Sequence, residues 1–469
     1  VVLRGVVQGV GFRPHVAQVA ARHPITGFCG NDATSVFIEA QGTRDAVEAF
    51  ITDVLATLPP LAHVLDRTDT SLPVSEEKGF SIAASISNPG ERTLIPPDVA
   101  TCDECLADMA DPGNRRYQYP FTTCTNCGPR LSIIEDLPYD RPNTTMRIFP
   151  MCPACETEYT TPTDRRFHAQ PISCPNCGPQ LSMSIAAARA LIDAGRILAV
   201  KGIGGFHLMC DATNEDAVAE LRRRKNRPDK PFAVMVPDLD WARRLVTLAP
   251  EEEELLTSPA RPIVIASARV ELPGIAPGLG DIGVLLPYTP LHSLLVDRPM
   301  VATSGNAAGE PLCFTNDDAV SKLDALADEF VLHDRDIHIP VEDSVFVGTT
   351  PSRRSRGYAP LPIPVTPGPT VLAVGGELKN TFALAHGDCV HVSAHVGDMG
   401  SLASQQAFDR GVEQMLRIQR AEPSLVVCDL HPGYATTALA ERLAERFDVD
   451  VMPVQHHYAH ALSLLTEHS

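Results

Sequence analysis

The sequence predicts a multidomain α/β chain interrupted by a duplicated cysteine-rich region, and three observations predict it. A length of 469 residues is enough for roughly three domains, each with its own core. Alternating strand and helix patterns lie on both sides of residues 98–180. Between them, eight of the 13 cysteines form two copies of one pattern, C-x2-C-x18-C-x2-C, offset by 50 residues.

Residues 1–86 read as strand 1–7, helix 13–23, strands 25–30 and 34–41, helix 43–57 and strand 79–84, with a further extended stretch at 61–70. That order is the ferredoxin-like βαββαβ motif. Gln8-Gly9-Val10-Gly11-Phe12-Arg13-Pro14 joins the first strand to the first helix. Its glycines expose N–H groups beside a helix N-terminus, which together can cradle a phosphate, and Arg13 adds a fork of donors. Gly30-Asn31-Asp32 follows at the end of the second strand. A loop containing Asn88-Pro89-Gly90 then leads to the cysteines.

The first cysteine set is Cys102, Cys105, Cys124 and Cys127; the second is Cys152, Cys155, Cys174 and Cys177. Arg115-Arg116-Tyr117 answers to Arg165-Arg166-Phe167, and Asn126-Cys127-Gly128-Pro129 to Asn176-Cys177-Gly178-Pro179. Each Cys-x2-Cys turn aims two thiolates at one tetrahedral ion, and two turns close a four-cysteine zinc shell. A disulfide framework is the other reading, but it suits small secreted domains. Tandem structural zinc modules are therefore expected at 98–180. The spacing leaves two pairings of the turns open, in order or first with fourth.

From 183 to 365 the pattern is helix 184–194, strand 197–200, helix 214–225 and strand 232–236, with strands near 262–266 and 299–302. Six basic residues fall within Arg222-Arg223-Arg224-Lys225-Asn226-Arg227-Pro228-Asp229-Lys230. Such a run is either a solvated helix end or a phosphate site. The run Tyr358-Ala359-Pro360-Leu361-Pro362-Ile363-Pro364 reads as a linker. Beyond it come strands 371–375, 381–386 and 389–396, helix 401–420, strand 425–428 and helix 433–446, an incomplete α/β domain over 370–469. His456 and His460 stand at i, i+4, a two-point metal grip on a helix, with His457 turned about 100° away. The chain starts in a strand at Val1 and stops inside an expected helix, so a fragment is expected.

The net charge of −19 disfavours nonspecific nucleic-acid binding, and no apolar run is long enough to span a bilayer. Without a signal peptide, a cytoplasmic protein with no membrane partner is expected. Cys29, Cys210, Cys313, Cys389 and Cys428 lie mostly beside apolar strands and read as core residues. Glu251-Glu252-Glu253-Glu254 suits a helix start.

Three resemblances sharpen these readings. Gly5-Val6-Val7-Gln8-Gly9-Val10-Gly11-Phe12-Arg13-Pro14 with Asn31 resembles the acylphosphatase family over 1–86. It implies that Arg13 binds the phosphoryl group and Asn31 orients the attacking water. Lys225, Arg227, Ser304 and Asn306 resemble the Lys-x-Arg and Ser-x-Asn signatures of the YrdC-like family, which makes carbamoyl-adenylates from ATP. Lys201-Gly202-Ile203-Gly204-Gly205-Phe206-His207 and Leu286-Pro287-Tyr288-Thr289-Pro290-Leu291-His292 match its surroundings over 183–365. Lys225, Arg227 and Arg356 are then the expected phosphate contacts. Ser304 and Asn306 would bond the nucleotide or carbamate, with Lys201 a further candidate. Residues 371–469, including Gly375-Gly376-Glu377 and Asp429-Leu430-His431, resemble part of the actin/Hsp70-like (Kae1-like) family, in which a His-x3-His pair holds a metal.

In this order the segments resemble the hydrogenase maturation carbamoyltransferases, the HypF family. The resemblance implies two structural zinc ions, ATP with Mg2+ as substrate, and a further metal ion at His456 and His460. It also implies carbamoyl phosphate as substrate and the C-terminal cysteine of HypE as acceptor, on the route to the cyanide ligands of [NiFe]-hydrogenase. An enzyme of tRNA threonylcarbamoyl-adenosine synthesis is the alternative, since the last two segments have relatives there. A non-catalytic zinc scaffold is a third reading.

Overall fold

The computed structural model describes residues 1–7, 9–31, 35–59, 61–74, 79–83 and 95–468. The loop expected around Asn88-Pro89-Gly90 lies outside them. The chain divides into two compact units, residues 1–96 with 101–179, and residues 97–100 with 180–469.

The first unit opens with strands β1 (Val2–Val6), β2 (Thr26–Asn31), β3 (Ser35–Gln41), β4 (His63–Thr68) and β5 (Phe80–Ile82), in the sheet order β4-β1-β3-β2-β5. Helices Phe12–Ala20 and Arg44–Ala56 supply Val16, Phe50 and Val54 to a core with Leu3, all four fully buried. Each such side chain contributes about 1.5–3 kcal/mol. Thr43 caps the second helix by accepting from the Ala46 N–H at 3.3 Å, a contact worth about 1 kcal/mol. The last strand of the motif differs from expectation. The strand that completes βαββαβ is β4, in the stretch at 61–70, which runs antiparallel to β1. The stretch at 79–84 instead gives β5, an added edge strand parallel to β2.

The cysteine-rich half of this unit has little regular structure beyond helices Asp103–Ala110 and Pro153–Thr160, which start directly after Cys102 and Cys152. The buried cluster of the first module is Cys105, Cys124 and Cys127 with Cys102 beside them. The second adds only Ala169 and Ile172 to its cysteines, with Met151 and Tyr159 packed at the margin. Cores this small need a staple.

The second unit contains a nine-stranded sheet of β6 (Leu198–Lys201), β7 (Phe206–Asp211), β8 (Ala233–Met235), β9 (Ile263–Ser267), β10 (Asp281–Leu285), β11 (Met300–Ser304), β12 (Glu329–Val331), β13 (Val345–Val347) and β14 (Thr350–Arg353). Their order is β12-β6-β7-β11-β8-β10-β9-β13-β14. Helices cover both faces. Leu208 packs with Val218, Leu221, Ala242 and Leu256, whereas its neighbour Met209 packs with Ala188, Ile192, Leu291 and Leu295. Alternate side chains thus enter opposite cores, as a doubly covered sheet requires.

A four-stranded sheet follows: β15 (Pro362–Ala373), β16 (Ala383–Val392), β17 (Leu425–Asp429) and β18 (Val451–Val454), ordered β16-β15-β17-β18. Helices Leu402–Gln419, Ala435–Phe447 and His456–His468 accompany it. The proline-rich run expected as a linker leads directly into β15. Pro362 and Pro364 are tolerated because β15 meets β17 only at 371–373, so its proline end is paired on one side. The strands expected at 381–386 and 389–396 are one strand, continued through a Gly368–Gly387 pair at a shift of register. Among the described residues, no helix is long and apolar enough to cross a membrane.

Candidate active sites and metal centres

The helix Phe12–Ala20 starts at Gly11, whose φ of 77° is left-handed, as is that of Gly9 at 68°. A Cβ at Gly9 would lie 3.0 Å from Pro96 Cγ and 3.3 Å from Tyr139 Cδ1, and one at Gly11 would lie 3.1 Å from Asn126 Oδ1. Glycine is needed here for both conformation and space. Arg130, 1% exposed, pins the loop by donating to the Gly9 carbonyl at 2.8 Å and to the carbonyls of Thr125, Cys127 and Pro129. A small, half-open cavity results, and Arg13 lines it with Gly9, Gly11, Thr125, Tyr139 and His168. Asn31 is not among the lining residues. It ends β2, 3% exposed, and its Oδ1 has no partner among the described residues. The cysteine-rich wall of this cavity had no signal in the sequence.

The eight predicted cysteines converge as two sets of four, pairing the turns in order. In the first, Sγ–Sγ distances are 3.6 Å for Cys102–Cys124, 3.7 Å for Cys124–Cys127 and 3.6 Å for Cys105–Cys127. In the second they are 3.8, 3.7 and 3.6 Å for Cys152–Cys174, Cys174–Cys177 and Cys155–Cys177. A tetrahedral ion with Zn–S bonds of about 2.3 Å has edges of about 3.8 Å, so the thiols fit zinc. The modules also brace one another. Arg115 and Arg116 donate to Glu158, at 2.6 Å each, and Arg115 to Cys155 Sγ at 3.1 Å. Fifty positions on, Arg165 and Arg166 donate to Asp108, and Arg165 to Cys105 Sγ at 3.1 Å. The main-chain bonds repeat too, Arg116 to the Ser173 carbonyl and Arg166 to that of Thr123. Although burial opposes it, Arg116 and Arg115 hold the Glu158 carboxyl down at about 2.

In the second unit, Lys225 ends the helix Glu215–Arg224, which Asn214 caps through the Ala217 N–H at 3.1 Å. Its ammonium donates to the carbonyls of Ser304 and Asn306 at 2.6 and 2.7 Å and to Asn306 Oδ1 at 2.9 Å. Ser304 Oγ donates to the same Oδ1 at 2.8 Å. The structure thus brings Lys225, Ser304 and Asn306 together. Burial, then Arg227, pushes Lys225 down to about 7. Arg227 donates to the carbonyls of Lys230 and Pro231, and its guanidinium lies 5.2 Å from the Phe232 ring centre. Burial, with Arg222 and Arg353 adding to it, pushes Arg227 down to about 10. Burial, then Arg227, Arg353 and Lys379 against the pull of Asp398, lowers Lys230, so the charges that act on it come from both the nine-stranded sheet and the four-stranded domain.

Two expected contacts lie apart from this cluster. Arg356 was expected at phosphate, yet it is 1% exposed and committed to protein groups. It donates to Asp343 at 2.8 Å and to the carbonyls of Ala260 and Arg261, and stacks over Tyr288 at 3.4 Å. Lys201, equally buried, donates to the His333 carbonyl at 3.1 Å, and burial pushes it down to about 8. His207, which pairs in register with Ser304, bonds Asp343 at 2.9 Å.

His456 and His460 do meet, Nε2 to Nε2 at 3.1 Å. Asp429, at the end of β17, accepts from His456 Nδ1 at 2.5 Å and fixes that ring, as a carboxylate behind a metal-binding imidazole does. This pairing of Asp429 was not evident from spacing. A Cβ on Gly376 would come 3.8 Å from His456 Cε1, so the Gly375-Gly376 loop adjoins the pair. Gly375 itself is required by its neighbours, since a Cβ there would lie 2.1 Å from the Thr381 carbonyl oxygen.

Comparison with known proteins covers the whole chain. Family models match in order: Acylphosphatase at 1–82, the HypF finger at 101–134 and 151–184, the Sua5/YciO/YrdC model described as telomere recombination at 190–355, and the HypF Kae1-like domain at 366–467. The chain is 45% identical to Carbamoyltransferase HypF2 of Cupriavidus necator, over 99% of this chain and 63% of that protein. It is 44% identical to Carbamoyltransferase HypF of a Synechocystis strain, with the same coverage. The crystal structure of full-length HypF in a phosphate- and nucleotide-bound form superposes with a TM-score of 0.95 at 42% identity, covering 100% of this chain and 64% of that one. The chain therefore spans about 63% of the length of these curated relatives. On these matches the chain belongs to the HypF family.

Proposed function

We propose that the chain carries the carbamate-forming and carbamate-activating parts of a carbamoyltransferase of [NiFe]-hydrogenase maturation. At the first site Arg13 and the Gly9–Phe12 backbone hold the phosphoryl group of carbamoyl phosphate. Asn31 orients water, which adds to phosphorus as the carbamate oxygen leaves with the bond electrons. The unpartnered buried Oδ1 of Asn31 supports that role. Positioning and electrostatics suffice for such a step. At the second site carbamate attacks the α-phosphorus of ATP, which enters with Mg2+, and diphosphate leaves. Arg227, Lys230 and Arg353 offset the charge crowding, and Lys225 holds the Ser304–Asn306 turn against the nucleotide. Arg356 supports the pocket through Asp343. His456 and His460 are proposed ligands of a further metal ion, which would neutralise nucleotide phosphates. In the whole protein the HypE C-terminal thiol then takes the carbamoyl group and AMP leaves.

The observation that carries this reading is the occurrence, in one chain, of a glycine loop with Arg13 lining a cavity and a separate cluster of cations around the buried Lys225, in the HypF order of domains. The acylphosphatase and finger segments favour it over threonylcarbamoyl-adenosine synthesis, as does the charge of −19. The test is ATP–diphosphate exchange dependent on carbamoyl phosphate. Arg13→Ala should abolish that dependence and leave exchange driven by carbamate from ammonium bicarbonate. Equal loss of both in a folded variant would remove the proposed division of labour.

A further inference from the structure

The duplication offers an internal control for residue 168. His168 and Gln118 are fifty positions apart and share one corner: both are left-handed, at φ 54° and 52°. Both N–H groups close the preceding helix, on the Tyr159 and Met109 carbonyls at 3.0 Å. A glutamine therefore satisfies the fold of this corner. In the first module Gln118 is exposed, and its side chain donates to the hydroxyl of its neighbour Tyr117. In the second module the same corner carries an imidazole that lines the Arg13 cavity. The ring is set edge-on to Phe167 at 4.5 Å and against Tyr159 at 5.1 Å, and neither of its nitrogens has a hydrogen-bond partner among the described residues. Gln170 beside it is occupied, accepting from the Arg141 N–H and the Tyr159 hydroxyl and donating to the His168 carbonyl. Arg130 is spent on carbonyls.

We propose that His168 is a specificity-determining residue of the Arg13 site, accepting a hydrogen bond from the NH2 group of an acyl phosphate whose phosphoryl group rests on Arg13. The proposal rests on the carbamoyl phosphate reading above. Burial, and then Arg13, lowers the imidazole's basicity against the opposing pull of Asp140, which keeps a ring nitrogen available as acceptor. Acetyl phosphate has the same phosphoryl group and a methyl in place of NH2, so it meets Arg13 equally and His168 not at all. A site built to bond an N–H discriminates against the analogue lacking it.

The test is phosphate release from carbamoyl phosphate and acetyl phosphate by the full chain, with His168→Gly and His168→Gln. Glycine adopts the left-handed corner without strain, and glutamine is what the sister module uses. We expect the carbamoyl-to-acetyl ratio of kcat/KM to fall about tenfold in His168→Gly, the scale of one hydrogen bond. His168→Gln, with its amide oxygen, should recover part of the preference. Zinc content of both variants should match the parent. An unchanged ratio, or equal loss on both substrates, would overturn the role of His168. Parent protein that hydrolyses acetyl phosphate but not carbamoyl phosphate would instead sink the functional reading itself.

Discussion

Lys225 shows how much of a site one residue type can reveal and where that stops. Its place in a basic run suggested a phosphate contact, but its Nζ is held among three acceptors on Ser304 and Asn306. Its depressed basicity has a consequence for binding. With a free-state pKa of about 7, against about 10.4 in an unstructured chain, the side chain is mostly neutral at pH 8. Nucleotide phosphates favour the ammonium form, so binding must draw a proton in. Calorimetry of ATP binding at pH 8 in buffers of different ionisation enthalpy should register uptake of up to about one proton, and affinity should fall as pH rises above 7. Lys225→Met should remove most of the uptake. Binding without uptake would place the phosphates away from Lys225. Arg356 teaches the converse. Its sequence signature was equally basic, and only the structure shows the guanidinium sealed against Asp343 and Tyr288.

At the scale of elements, legibility followed how local the physics is. Cysteine spacing disclosed both metal shells because each turn binds through neighbours three apart. The exchanged arginines were visible only as an unexplained echo, since the partners of Arg115 and Arg116 lie 42–43 residues away. Strands β7 and β10 and the proline-led start of β15 escaped the pattern for the same reason, because tertiary pairing rather than local propensity fixes them. The arginine exchange makes a testable claim. Arg116→Met leaves Glu158, 20% exposed, with half of its ion pairing gone, and loosens the bracing of the second shell through Ser173. Breaking a pair this buried costs about 3 kcal/mol. Release of zinc to a chelator, followed by absorbance, should become biphasic, with the second module's ion leaving first. Arg166→Met should do the reverse through the first module. Simultaneous release from both modules in either variant would show that the two shells fail as one body.

At the scale of the molecule, the order of domains was readable, whereas the first cavity was not. Its walls come from Val7 and residues 9–14 on one side and from residues between 125 and 170 on the other, and no local pattern links segments so far apart. That construction ties the zinc modules to chemistry at Arg13 although all their cysteines are consumed in closed shells. The nine-stranded sheet, in contrast, has apolar cores on both faces that contain none of these eight cysteines. Stripping zinc should therefore separate the two activities. Without metal the cysteine clusters retain too little apolar surface to stay folded, and Thr125, Tyr139 and His168 leave the cavity. Carbamoyl phosphate hydrolysis should then fall by at least about a hundredfold, the scale of losing substrate positioning. ATP–diphosphate exchange driven by ammonium bicarbonate should persist, because Lys225, Ser304 and Asn306 are held by a core that needs no zinc. Titrating chelator while following both reactions and the zinc released decides the matter. Hydrolysis that survives complete metal loss would detach the modules from the Arg13 site, and exchange that decays in step with zinc would make the second fold depend on the first.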